Sequence, residues 1–195
     1  MLLSRRHLLA AGAAACALPA TPASARAWVT ADIPERYHPR RVAVSPTLQA
    51  GVIHVVPEEY ALYWIEPGGF AMRYIVGIGR PGLYEPGSYF IGAKKEWPSW
   101  KPTDEMVERS PELYAQYAED GMEGGLANPL GARALYLFQP RRGDTFLRIH
   151  GTNAPGTLGR AVSNGCARLL NDQIEDLYAR VPLRTPVILH PKDAI

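Results

Sequence analysis

Apolar and polar positions alternate with a period of two through much of the chain, and that period predicts β-strands. Residues 51–56, 60–65 and 70–76 carry it, each bounded by turn-forming or acidic residues such as Pro57-Glu58-Glu59 and Pro67-Gly68-Gly69. The same signal predicts strands over 87–92, 134–138, 145–150 and 186–190. Two stretches switch to helical spacing. Ser110-Pro111-Glu112 supplies a cap, a first-turn proline and an acid before Leu113, Tyr114, Tyr117 and Ala118. Asn171-Asp172 opens a second helix with Ile174, Leu177 and Tyr178 on one face, stopped by Pro182. The expectation is one mainly β domain with two or three short helices.

Composition agrees. Eighteen Gly and eighteen Pro in 195 residues favour short strands joined by turns over a helical bundle. A hydrophobic fraction of 47% with 21% charged residues is too apolar for a disordered chain. No apolar run approaches the ~20 residues that a spanning helix needs.

The first 27 residues read as an address. Arg5 and Arg6 precede an uncharged run from Leu8 to Leu18, and small-x-small sites follow at Ala23-Ser24-Ala25 and Ala25-Arg26-Ala27. That is the layout of a signal peptide cleaved after Ala27, and Ser4-Arg5-Arg6-His7-Leu8-Leu9 resembles a twin-arginine signal. Export to the periplasm or cell envelope is expected. Removing residues 1–27 takes away Arg5, Arg6 and Arg26 and no acid. The formal charge of +2 then becomes 18 basic against 19 acidic residues, which argues against a nucleic-acid partner. Residues 28–50 read as an irregular leader and 51–191 as the working domain.

Export sharpens the cysteine count. Of two cysteines, Cys16 leaves with the signal, so Cys166 is a lone thiol in an oxidising compartment. It is either a buried small hydrophobe or a nucleophile. Its context is Ser163-Asn164-Gly165-Cys166, and His150 lies sixteen positions upstream at a strand end. Between them, Gly151, Pro155, Gly156, Gly159 and Gly165 let the chain fold back and bring imidazole to thiol. A thiol of pKa ~8.5 is mostly protonated at neutral pH, so a neighbouring base activates it and can return the proton to a leaving amine. Gly165 allows close backbone approach, as an oxyanion hole of N–H donors requires, or merely makes a turn.

Other motifs fail. Gly77-Ile78-Gly79-Arg80-Pro81-Gly82 matches a dinucleotide fingerprint, but Pro81 and Pro86 forbid the helix that would receive a pyrophosphate. Neither His38, His54, His150 nor His190 has zinc-ligand spacing, so no metal is expected, and His54 reads as a structural strand residue.

These residues resemble the L,D-transpeptidases with the YkuD-type catalytic domain. His150-Gly151-Thr152, Ser163-Asn164-Gly165-Cys166-Ala167-Arg168 and Asn171-Asp172 with Leu177-Tyr178 follow that family's order. The shortened segment from Gly79 to Ile91, Trp97-Pro98-Ser99-Trp100 and Asn128-Pro129-Leu130-Gly131 also have counterparts, so the likeness covers residues 52–190. Two departures stand out: Asn164 replaces the histidine usual two before the cysteine, and no peptidoglycan-binding module is attached. The resemblance implies a YkuD-like β-sandwich of mixed sheets and an acyltransferase without cofactor. It would act on peptidoglycan tetrapeptide stems. Cys166 is then the nucleophile, His150 the base and acid, and the Gly151 carbonyl the group that orients the ring. Backbone N–H groups of Asn164, Gly165 and Cys166 line the oxyanion hole, with the Asn164 side-chain amide as a further candidate there. Ser163, Arg168, Trp97 and Trp100 are the candidate substrate contacts. Arg168 could equally make a structural ion pair, and the two tryptophans could equally be core. The acceptor is an amine of another stem, a lysine of a cell-wall-linked protein, or water, the last making a carboxypeptidase or amidase. A non-catalytic murein-binding domain and a thiol redox protein are the competing readings.

Overall fold

A computed structural model describes residues 33–192. The address segment, residues 1–27, lies outside the described residues. The strands are β1 (Arg40–Ala43), β2 (Ile53–Val56), β3 (Ala61–Glu66), β4 (Phe70–Ile75), β5 (Ile78–Gly79) and β6 (Gly87–Glu96). After two short helices, α1 (Asp104–Arg109) and α2 (Pro111–Tyr114), come β7 (Arg133–Gln139), β8 (Gly143–His150), β9 (Ala161–Ser163) and β10 (Ala167–Arg168). Helix α3 (Asn171–Arg180) and β11 (Pro186–Leu189) close the domain.

Nine strands form one sheet in the order β1-β4-β3-β2-β11-β6-β7-β8-β10, and β5 pairs with β9 in a second, smaller one. The sheets are mixed. Most neighbours run antiparallel, but β2–β11, β8–β10 and β5–β9 are parallel. Reciprocal hydrogen bonds between Gly77 and Arg168, at 2.9 and 2.8 Å, join the small sheet to the edge of the large one.

Alternation explains the core. Along β8, Thr145, Leu147 and Ile149 are buried while Phe146 is exposed and Arg148 half-buried. Leu147 and Ile149 join Leu135 and Leu137 of β7, Ile91 of β6, and Ile174 and Leu177 of α3 in one apolar cluster. The i, i+3 pair Ile174 and Leu177 is the face that holds α3 against the sheet.

Several elements differ from expectation for local reasons. Arg40–Ala43, inside the stretch read as an irregular leader, is an edge strand paired with β4. Its two arginines hide the alternation. Strand β6 runs on to Glu96 because Lys94 leaves its polar end free to donate to the Tyr178 and Val181 carbonyls, both at 2.6 Å. Helix α1 lies outside the two stretches of helical spacing, although Thr103 caps it by accepting from Met106 N and Asp104 and Glu105 fill its first turn.

Candidate active site

The parallel pairing of β10 with β8 puts Arg168 opposite His150. Cys166 is the residue entering β10, two positions before Arg168, so it arrives beside the end of β8 that carries His150. The chain between them makes the expected return, through a 3-10 turn at Pro155–Thr157 and strand β9. Both side chains line one cavity of about 1070 Å³, together with Arg148, Asn164, Arg168, Trp100 and Tyr114.

His150 is 3% exposed. Its Nδ1 lies 2.6 Å from the carbonyl oxygen of Gly151. A carbonyl only accepts, so Nδ1 carries the proton, and in a neutral ring Nε2 is left with a free lone pair. The neutral ring is favoured: burial foremost, then the Arg168 guanidinium, push its pKa down to about 3, opposed by the Gly151 hydrogen bond and helped to a lesser extent by Arg148. Cys166 keeps part of its surface open to the cavity. Burial of the thiol pushes its pKa up, opposed by a backbone hydrogen bond at Arg148 and by the Arg148 and Arg168 charges. Burial thus favours the uncharged form of both groups, thiol and imidazole.

Gly165 has φ +111°, a conformation L side chains rarely adopt. A Cβ there would sit 2.8 Å from the Leu83 carbonyl oxygen and 2.9 Å from Leu147 Cδ2. The sequence 164–166 thus presents backbone immediately before the thiol, where a side chain has no room.

The remaining candidates separate. Ser163 is not at the cavity: it is 1% exposed, and its hydroxyl donates to the Cys166 carbonyl at 2.6 Å, bracing the Cys166 turn from behind. Trp97 is also outside the cavity lining, whereas Trp100 is within it and rests against the rings of Tyr114 and Tyr117. Arg168 makes no ion pair among the described residues; burial lowers its pKa, and its Nε lacks a partner. The Asn164 side chain is tied elsewhere, accepting from Arg80 and Arg109 and donating to Tyr114. His54 pairs with His190 at 2.9 Å, apart from the cavity lining. The Gly77–Gly82 stretch enters a turn at 81–83, so no helix starts there.

Two supporting residues escaped sequence reasoning. Arg148 is held by a two-pronged pair with Asp144, at 2.6 and 2.9 Å, beside the thiol; its place in the strand alternation was the available signal. Asn171 Oδ1 accepts from Ala132 N at 3.0 Å and Thr152 N at 3.2 Å, fixing the segment after His150. A side chain at Gly131 or Gly151 would run into that oxygen. The local sequence marks Asn171 only as a helix opener, since nothing nearby announces its long-range partners.

Residues 50–189 match the YkuD family, described as the L,D-transpeptidase catalytic domain. The chain is 31% identical over 157 residues to a "Probable L,D-transpeptidase ErfK/SrfK" of Escherichia coli K12, covering 76% of this chain and 46% of that protein. It thus spans about half the length of the curated relatives it matches. Among solved structures, one from Brucella melitensis, described as a probable carnitine operon oxidoreductase, is 44% identical with a TM-score of 0.55. That match covers 76% of this chain and 90% of the other. An Enterococcus faecium L,D-transpeptidase shares the fold at 18% identity and a TM-score of 0.53, over 74% of this chain and 51% of that one.

Proposed function

The chain belongs to the YkuD family of L,D-transpeptidase catalytic domains, and from that premise we propose an exported cysteine acyltransferase acting on peptidoglycan tetrapeptide stems. The observation that carries this reading is the His150–Gly151 contact. It leaves Nε2 as the only unprotonated nitrogen of a ring that shares one cavity with the chain's one described thiol.

Nε2 of His150 takes the Cys166 proton as the sulfur attacks the carbonyl of the third stem residue, at its L-configured centre. Charge gathers on the former carbonyl oxygen. The backbone N–H groups of Asn164, Gly165 and Cys166 stabilise it, each contributing about 3 kcal/mol when correctly aimed. Collapse expels D-alanine, whose amine receives the proton from His150, and leaves a thioester on Cys166. An amine of a second stem, or a lysine of a cell-wall-linked protein, then displaces the sulfur while His150 again accepts a proton. Arg168, unpaired among the described residues and facing the cavity, is suited to a substrate carboxylate. Trp100 supplies an apolar wall.

Incubation with disaccharide-tetrapeptides and mass analysis of the products tests the assignment. Cross-linked dimers and free D-alanine are expected from the wild type and neither from Cys166→Ala. Tripeptides alone would reassign the acceptor to water. Unchanged substrate would leave a murein-binding domain or a thiol redox protein.

A further inference from the structure

The cavity is roofed on one side by the segment that carries α1 and α2, and the base of that segment is firmly pinned. Trp100 and Met122 exchange backbone hydrogen bonds at 2.8 and 2.6 Å, and Asn128 Nδ2 donates to the Met122 and Glu123 carbonyls. Its tip is held differently. Among the described residues, the hydrogen bonds that connect α1 and α2 to the body of the domain both end on Asn164. Arg109, the last residue of α1, donates to Asn164 Oδ1 at 3.0 Å. Tyr114, the last residue of α2, accepts from Asn164 Nδ2 at 3.1 Å. From the opposite side, Arg80 after β5 donates to the same Oδ1 at 2.9 Å.

Two guanidiniums hold no acceptor, so they fix the amide orientation: Oδ1 must face them, and Nδ2 must face the tyrosine. A neutral imidazole at this position offers one acceptor nitrogen and could not receive both arginines. The residue is also two positions before the thiol, so whatever holds the roof is read at the nucleophile turn.

We propose that the Asn164 side chain is a positioning residue, a latch that fastens the α1–α2 roof over the Cys166 cleft and so sets how tightly the stem peptide is held. It deepens the transpeptidase reading and rests on it. Asn164 thereby serves twice, its backbone at the oxyanion and its side chain at the roof. The roof residues it secures, Arg109 and Tyr114, themselves line the cleft.

Hydrogen–deuterium exchange of the whole purified protein reads the latch without turnover. Asn164→Ala is expected to speed exchange in residues 104–117 about tenfold, the factor that one ordinary net hydrogen bond supplies. Exchange in β7 and β8 should stay as in the wild type. Asn164→Asp keeps both guanidiniums as ionic partners and takes a hydrogen bond from the tyrosine hydroxyl, so it should restore protection. Tyr114→Phe, which keeps the ring against Trp100, should loosen the roof by a smaller factor. With tetrapeptide as donor, the larger part of the Asn164→Ala loss should fall on KM, with Asn164→Asp recovering it.

Unchanged exchange in 104–117 for both Asn164→Ala and Tyr114→Phe overturns the latch. So does a loss confined to kcat, which would place the amide at the reacting atoms. If the wild type turns over no tetrapeptide yet the roof loosens as described, the latch stands and the substrate assignment falls. If turnover is normal and the roof does not respond, the reverse holds.

Discussion

Arg168 stands directly opposite His150 in the parallel β8–β10 ladder, and its guanidinium is the largest charge holding that imidazole neutral. The relationship ties acid–base chemistry to stability. The unfolded ring binds a proton below about 6.5, whereas the folded ring does not until about 3. Stability from His150 is therefore complete above pH 6.5 and is lost as pH falls between those values, at up to about 1.4 kcal/mol per unit. Urea titrations from pH 7 to 4 should show this slope in the wild type and a shallower one in His150→Gln. Equal slopes would mean the ring is not held neutral.

The same displacement governs the rate. Because the working base stays unprotonated well below its ordinary range, the acylation rate should not fall as pH drops from 7 to 5. Single-turnover measurements check this, and an acid limb near 6.5 would contradict it. His150→Gln should lose about 10²–10⁴-fold in kcat/KM at every pH, as expected for removal of a general base.

Gly165→Ala places a Cβ against the Leu83 carbonyl at a φ that favours glycine. We expect a loss of about 1–3 kcal/mol from backbone strain. Activity should fall further, about 10²-fold, because the displaced N–H groups miss the oxyanion. Thermal denaturation and steady-state rates measured together separate the two effects.

Asn171→Ala leaves Ala132 N and Thr152 N buried without their acceptor. The expected cost is about 1–3 kcal/mol, measured by urea unfolding. Trp100→Ala should raise KM for the stem peptide, whereas Trp97→Ala, outside the cleft, should leave KM unchanged.

Much of this architecture was legible in the sequence because it is local. Alternation marked the strands from β2 to β4, and Ser110-Pro111-Glu112 and Asn171-Asp172 marked the starts of α2 and α3. The glycine-rich return between His150 and Cys166 announced that both would reach one cavity. What stayed hidden depends on distant partners. Strands β5, β9 and β10 have two or three residues each and exist only because neighbours pair with them. Ser163 and Trp97 had the right chemistry for the substrate, yet tertiary packing turned Ser163 toward the Cys166 carbonyl and left Trp97 outside the cleft. The Asn164 side chain was a candidate for the oxyanion; its three partners at Arg80, Arg109 and Tyr114 lie 50 or more residues away in sequence.

The most direct test of the central claim is intact-mass analysis of the protein after exposure to a carbapenem, an acylating inhibitor class to which the resemblance to L,D-transpeptidases points. The expected result is a single covalent adduct, mapped by peptide digestion to Cys166, absent from Cys166→Ala and slower to form in His150→Gln. A folded wild type that acquires no adduct, or a Cys166→Ala variant that still does, would contradict it.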